Sequence, residues 1–192
     1  IASPYFVPDP DIITALKVAA LKGLDVRILL PANADHWVTW LAAFAYFDEL
    51  RTAGVQFWFY EPGFMHQKVI LVDSAIAAVG TVNLDNRSFR LNFEITMGVA
   101  DRDFTAQVAR MFEQDLAGAR LVEAGELDER SAWFRFWVRV LRLAALSPDD
   151  HAAAMDQAGQ EPQDRKTLFA LSQGSVGEAI RLNDDGEIEG LF

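Results

Sequence analysis

The chain of 192 residues contains no cysteine. That excludes a disulfide framework and any cysteine-based metal site, and it fits a reducing compartment. Long apolar runs are missing too. The longest nearly apolar stretch, Trp37 to Phe47, has eleven residues, whereas a helix needs about 20 to cross a bilayer. It reads first as a core helix and second as a helix whose outer aromatics dip into a lipid interface. Positive charge is sparse: 17 basic against 28 acidic residues, a formal charge of −11. The excess is uneven, −7 over residues 149–192 and only −4 over residues 1–148. An acidic body argues against general nucleic-acid binding, which favours basic surfaces. The first residue is isoleucine, and no charged-then-apolar leader is present. The chain reads as a fragment of a longer protein, so missing targeting or membrane segments carry little weight.

What is present suits one core and a small appendage, since 51% of the residues are apolar. Ala2 to Val7 reads as a strand ending at Pro8. Asp9-Pro10 is a helix start, an N-cap followed by proline at the first helical position. Ile12, Ile13, Leu16, Ala19 and Ala20 recur at helical spacing, and Gly23 stops the helix. Asp25 to Leu30 is the next strand, so strand, helix and strand make a βαβ unit with a parallel pair. Asp35 caps a second helix that runs to about Ala53, with Gly54 as its stop. Strands follow at Val55–Tyr60, Met65–Val72, Ile76–Val79 and Glu94–Val99, and helices at Phe104–Leu116 and Arg130–Leu146. This pattern predicts an α/β fold, a mixed sheet flanked by helices. From Asp149 to Gln163 the composition turns polar, acidic and alanine-rich, as in a linker. Two short helical patterns close the chain, near Lys166–Ser172 and Val176–Leu182. The domain division is therefore residues 1–148 and residues 149–192.

Chemistry concentrates in His66-Gln67-Lys68-Val69-Ile70-Leu71-Val72-Asp73. A strand alternates its side chains, so His66 and Lys68 share a face. The plain reading is two polar residues on a surface strand. The functional reading is an imidazole beside a fixed ammonium, a pair suited to a phosphate. An imidazole can attack phosphorus or pass a proton to a leaving alkoxide. Lys68 supplies a point charge for non-bridging oxygens. Gly80-Thr81-Val82-Asn83 follows on the next passage from strand to loop, and Thr81 and Asn83 can donate to the same oxygens. Glu94 can accept from the second ring nitrogen of a histidine and fix its tautomer. Asp73 has the opposite parity to His66 and is expected to brace the strand end or a neighbouring cation.

HQKVILVD followed by GTVN matches the HxKxxxxD and G[ST]xN signature of the phospholipase D superfamily. The match extends through SPYFVPD at Ser3–Asp9, Ala34–Val55, PGFMHQKVILVD at Pro62–Asp73 and VGTVNLDNRSFRLNFE at Val79–Glu94. Over roughly residues 1–148 the chain resembles the C-terminal catalytic half of bacterial cardiolipin synthases. The resemblance implies one lobe of a two-lobed enzyme, in which two halves each bring one histidine to a shared site. It implies phosphatidyl transfer through a phosphohistidine, without metal or other cofactor, from one phosphatidylglycerol to another. The residues carried over are His66, Lys68, Asp73, Thr81, Asn83 and Glu94, and which role His66 takes stays open. Implied partners are phospholipids, a membrane surface at the cytoplasmic side of a bacterial inner membrane, and the N-terminal half or a second copy of the chain. Nucleic acid is not among them. Hydrolysis of phospholipids is the alternative activity, and a homodimeric nuclease a weaker one.

Two further features stay open. His36, between Asp35 and Trp37, is either a capping-turn histidine or part of the substrate entrance. Trp133, Phe134, Phe136 and Trp137, with Arg130, Arg135, Arg139 and Arg142, suit either a helix lying on an anionic bilayer or a helix packed on the other half. The segment LSQGSVGEAIRL in the tail is similar to the lid region of a bacterial clamp-loader subunit. No Walker-type loop accompanies it, so it implies no ATPase role.

Overall fold

A computed structural model describes residues 1–33, 37–123, 125–126 and 129–145. Asp35, His36, the expected linker and the two tail helices lie outside the described residues. The chain divides into two compact units, Ile1–Ser131 and a second that begins at Ala132.

The first unit opens with β1 (Phe6–Val7), α1 (Pro10–Leu21), β2 (Arg27–Pro31), α2 (Trp37–Thr52) and β3 (Gln56–Tyr60). Asp9 caps α1, its Oδ1 accepting from the Ile12 amide at 2.9 Å. Gly54 ends α2 with φ of 105°, a left-handed conformation that glycine adopts without a Cβ penalty. β2 and β3 pair in parallel, with Ile28 beside Phe57 and Leu30 beside Phe59. Then come β4 (Val69–Val72), β5 (Ile76–Gly80), β6 (Leu84–Asp85), α3 (Asn86–Arg90), β7 (Thr96–Val99), α4 (Arg102–Ala117) and β8 (Ala119–Leu121). The second unit contributes α5 (Ala132–Ala145).

Two three-stranded sheets run in the orders β2-β3-β8 and β4-β5-β7. Ala2 joins them, bridging Leu29 in parallel and Val69 in antiparallel. Ala2 donates to the Val69 carbonyl at 2.8 Å and accepts from the Val69 amide at 3.0 Å. The expected strand from Ala2 to Val7 is thus broken in two. Pro4 has no amide hydrogen to continue the ladder, and Phe6–Val7 pairs with β6 instead. The Ser3 hydroxyl closes the break, donating to the Tyr5 carbonyl at 2.7 Å and accepting from the Leu84 amide at 3.0 Å.

The core lies on both faces of the sheet. Buried Phe6, Phe44, Phe47, Phe57 and Phe59 pack between α2 and the strands, with Phe47 and Phe57 ring centroids 4.3 Å apart. The Trp37–Phe47 stripe is therefore largely core: Leu41, Ala42, Ala43, Phe44, Tyr46 and Phe47 are all buried. On the other face Leu29, Met65, Val69 and Ala77 pack with Val108 and Phe112 of α4. Burial on both faces explains why Ile28, Leu29 and Leu30 form a continuous apolar run rather than an alternating one.

β4 starts at Val69, not Met65. The Gly80 amide donates to the Lys68 carbonyl at 3.2 Å and β5 ends there, so residues 65–67 have no strand opposite them. Gly80 also faces β7 closely, paired with Thr96. A Cβ on Gly80 would collide with the Ile95 carbonyl oxygen and the Thr96 side chain, and would stand 2.6 Å from the Thr96 Cα. Backbone cannot yield as a flexible side chain does. Gly80→Ala is expected to destabilise the fold by about 1–3 kcal/mol, read as a lower urea midpoint. An unchanged midpoint would contradict this close approach.

Candidate active site

The alternation expected for the His66–Lys68 segment continues through the residues ahead of β4. Met65 and Val69 are buried, and Gln67 donates to Asp115 of α4 at 2.7 Å. His66, Lys68 and Ile70 point the other way, and Lys68 and Ile70 line a cleft of about 460 Å³. Ser88, Asn92, Glu94 and Thr96 line the same cleft. Its volume lies within the range of small-ligand sites, about 300–1,000 Å³.

His66 is exposed and held between two rings. Phe64 stacks on it at 5.5 Å with planes 10° apart, and Tyr5 meets it edge-on at 6.0 Å. The Lys68 ammonium donates to the His66 carbonyl at 2.9 Å, which ties the charge to the histidine's own backbone. Glu94 sits just before β7 and accepts from Asn92 Nδ2 at 3.1 Å. Hydrogen bonds from Thr81, Asn92 and Ser88, in that order, hold its carboxyl below the usual glutamate range. The Lys68 charge adds to them, while desolvation opposes them. Thr81 in turn is fixed across the β5–β7 junction, its hydroxyl accepting from the Ile95 amide at 3.0 Å.

Asn83 stands behind the cleft wall and donates to Ser88 Oγ at 3.3 Å. Asp85 caps α3 through the Ser88 amide at 2.8 Å and accepts from Ser88 Oγ at 3.3 Å. Buried Ser88 thus connects Asn83, Asp85 and Glu94. Arg90 reaches Asp9 at 3.3 Å and ties α3 to the start of α1.

The structure therefore places Lys68 and Glu94 in the lining of one cleft, with Thr81 and Asn83 tied to that lining through Glu94 and Ser88, and His66 two residues ahead of Lys68 on the same side of the extended chain. It does not bring Asp73 there. Asp73 lies in the turn beyond β4 with φ of 50°, exposed. The four-residue strand lies between it and Lys68, five residue steps or about 16 Å at 3.3 Å per residue. Sequence reasoning did not single out Ser88, Asn92, Tyr5 or Phe64. Asp85 followed three residues later by Ser88 is a helix-cap spacing, and it could have revealed α3 and so Ser88.

A family model described as cardiolipin synthase, PLD-like domain, matches residues 1–116. The chain belongs to this family. It is 49% identical over 149 residues to cardiolipin synthase A of Pseudomonas syringae pv. syringae, a match covering 77% of this chain and 30% of the relative. It is 45% identical over 148 residues to cardiolipin synthase A of Pseudomonas putida, with the same shares. The chain thus spans about a third of the length of these relatives. Among solved structures, the phospholipase D family member Nuc from Salmonella typhimurium superposes with a TM-score of 0.56 at 21% identity. That match covers 64% of this chain and 80% of Nuc. Phosphatidylserine synthase from Haemophilus influenzae gives 0.56 at 17% identity, covering 72% of this chain and 38% of that one. Both likenesses concern the fold, and they agree with the mixed sheet flanked by helices.

The hydrogen bonds from Thr81, Asn92 and Ser88 make Glu94 a stronger acid than an ordinary glutamate. The interactions that hold its carboxylate are present above the ordinary glutamate range and are lost as pH falls through the folded value. In a side-chain carboxyl NMR titration Glu94 is expected to titrate below ordinary glutamate, and Thr81→Val to move it up. Titration at or above the ordinary value would contradict the geometry.

Proposed function

We propose that this chain is one lobe of a cardiolipin synthase and transfers a phosphatidyl group between phospholipids through a phosphohistidine. The observation that carries this reading is the joint placement of Lys68 and Glu94 in one cleft lining, with the Lys68 ammonium bonded to the His66 carbonyl. In the first step a histidine nitrogen attacks the phosphorus of phosphatidylglycerol. The P–O bond to the headgroup breaks, and the departing alkoxide takes a proton from a second, protonated histidine. In the second step the acceptor alcohol gives that imidazole its proton as its oxygen attacks phosphorus, and the P–N bond breaks. His66 fills one of these two roles.

Each supporting residue has a share. Lys68 offsets charge on the non-bridging oxygens. Glu94, kept ionised by Thr81, Asn92 and Ser88, suits acceptance from an imidazole N–H. Thr81 and Asn83 support the site through Glu94 and Ser88, and Asp73 acts on the β4–β5 turn rather than on the phosphate.

The second histidine comes from the other half of the protein or from a second copy of this chain. An unpartnered apolar rim beside the cleft supports this reading. Leu91, Phe93, Ile95 and Met97 are all well exposed, Phe93 fully, and contiguous apolar exposure marks an interaction surface. No helix among the described residues is long and apolar enough to cross a membrane. The proposed workplace is nonetheless the cytoplasmic face of a bacterial inner membrane, where the lipid substrates lie.

Water and an alcohol compete for the same phosphohistidine, so product analysis decides between synthase and phospholipase. Mass spectrometry of products from phosphatidylglycerol, with the protein carrying both halves, is expected to show cardiolipin and glycerol. Phosphatidic acid without cardiolipin would reject the synthase. His66→Ala is expected to lower turnover by at least about 10³-fold, and a smaller loss would remove His66 from the reaction.

A further inference from the structure

Helix α5 carries a feature that the phosphatidyl-transfer chemistry does not use. Its fourteen residues, AWFRFWVRVLRLAA, include three arginines and no acidic residue, in a chain whose formal charge is −11. Two of the chain's five tryptophans, Trp133 and Trp137, lie in it. An α-helix turns by about 100° per residue. Val138 lies toward one side and is buried. Toward the opposite side lie Trp133 and Phe136, which leave 52% and 51% of their surfaces exposed. Their rings stack at 5.5 Å with planes 16° apart, forming one exposed aromatic cluster. Trp137 meets both edge-on, at 5.7 Å and 5.9 Å. Arg139 is exposed beside this cluster, whereas Arg135 lies nearer the Val138 side and is half-buried.

An exposed aromatic cluster flanked by an exposed arginine, with no carboxylate on the helix, is a composition that settles at a headgroup boundary. The rings enter the acyl margin while the guanidinium groups stay at the phosphates. We propose that α5 docks the lobe on an anionic phospholipid surface, with Trp133 and Phe136 inserted and Arg139 on lipid phosphates. Charge complementarity selects this occupant, because α5 carries arginine and no carboxylate, and a local basic segment is attracted to an anionic leaflet within a Debye length. The proposal deepens the phosphatidyl-transfer reading by naming where the lobe meets its substrates. Its test uses no turnover, so the two can fail separately.

The 192-residue chain is mixed with vesicles of phosphatidylcholine alone or with one-third phosphatidylglycerol, and the bound fraction is measured by flotation. Binding to the anionic vesicles is expected, weakening as salt rises. Trp133→Ala with Phe136→Ala is expected to reduce it at least about tenfold, given the apolar area withdrawn. Arg139→Glu, a change at an exposed position, is expected to lower anionic binding more than about fivefold while leaving binding to neutral vesicles unchanged. Far-UV circular dichroism checks that each variant keeps its helices. Equal binding to both vesicle types, or folded variants that bind like the unaltered chain, overturns the proposal. So does a result in which the substitutions change only self-association on a sizing column, which would assign the cluster to a second copy.

Discussion

The bridge at Ala2 joins the two strand sets of the first unit: Ala2 bonds Val69 itself, while its neighbours Ser3 and Ile1 bond Leu29. One residue takes the place of a whole strand: it meets Leu29 on one side and Val69 on the other. Without it β2-β3-β8 and β4-β5-β7 would be separate three-stranded sheets. Its small side chain is buried against Met65, Val69 and Val108, so the junction is also a packing point. The consequence for chemistry is positional. The chain leaving Ala2 passes through Ser3 and Tyr5, and Tyr5 supplies one of the two rings that flank His66.

The second constraint is the approach of β5 to β7 at Gly80. It brings Thr81 beside Ile95, and therefore beside Glu94. One backbone contact, permitted by a missing Cβ, places a carboxylate in the same cleft wall as Lys68. The charges are balanced rather than simply cationic. Neighbouring donors keep Glu94 ionised, and in the proposed reaction its negative charge near Lys68 suits a site that holds a phosphate and hands protons to and from an imidazole.

Much of this was legible in the sequence, for identifiable reasons. Asp9-Pro10 named the start of α1 because capping chemistry is local. The run through Ile28, Leu29 and Leu30 named a buried strand, and the His66–Lys68 parity followed from the period of extended chain. What was not legible depends on distant partners. Pro4 splits the first strand, but only the presence of Leu84 opposite Ser3 shows where its second piece goes. β6, β8 and α3 are two, three and five residues long, too short to carry a period. Ser88 was missed because its importance lies in touching Asn83 and Asp85, a fact of folding rather than of composition. The length of β4 was overestimated because apolar pattern does not reveal where a neighbouring strand stops.

The central claim is that this lobe brings one histidine to a site that needs two. The most direct test is phosphatidylglycerol turnover by the 192-residue chain alone, followed over a dilution series and compared with the protein joined to its other half. The account predicts no turnover from the monomeric chain, and activity only when a second histidine is supplied by that half or by dimerisation. Turnover that stays proportional to monomer concentration at high dilution would contradict it.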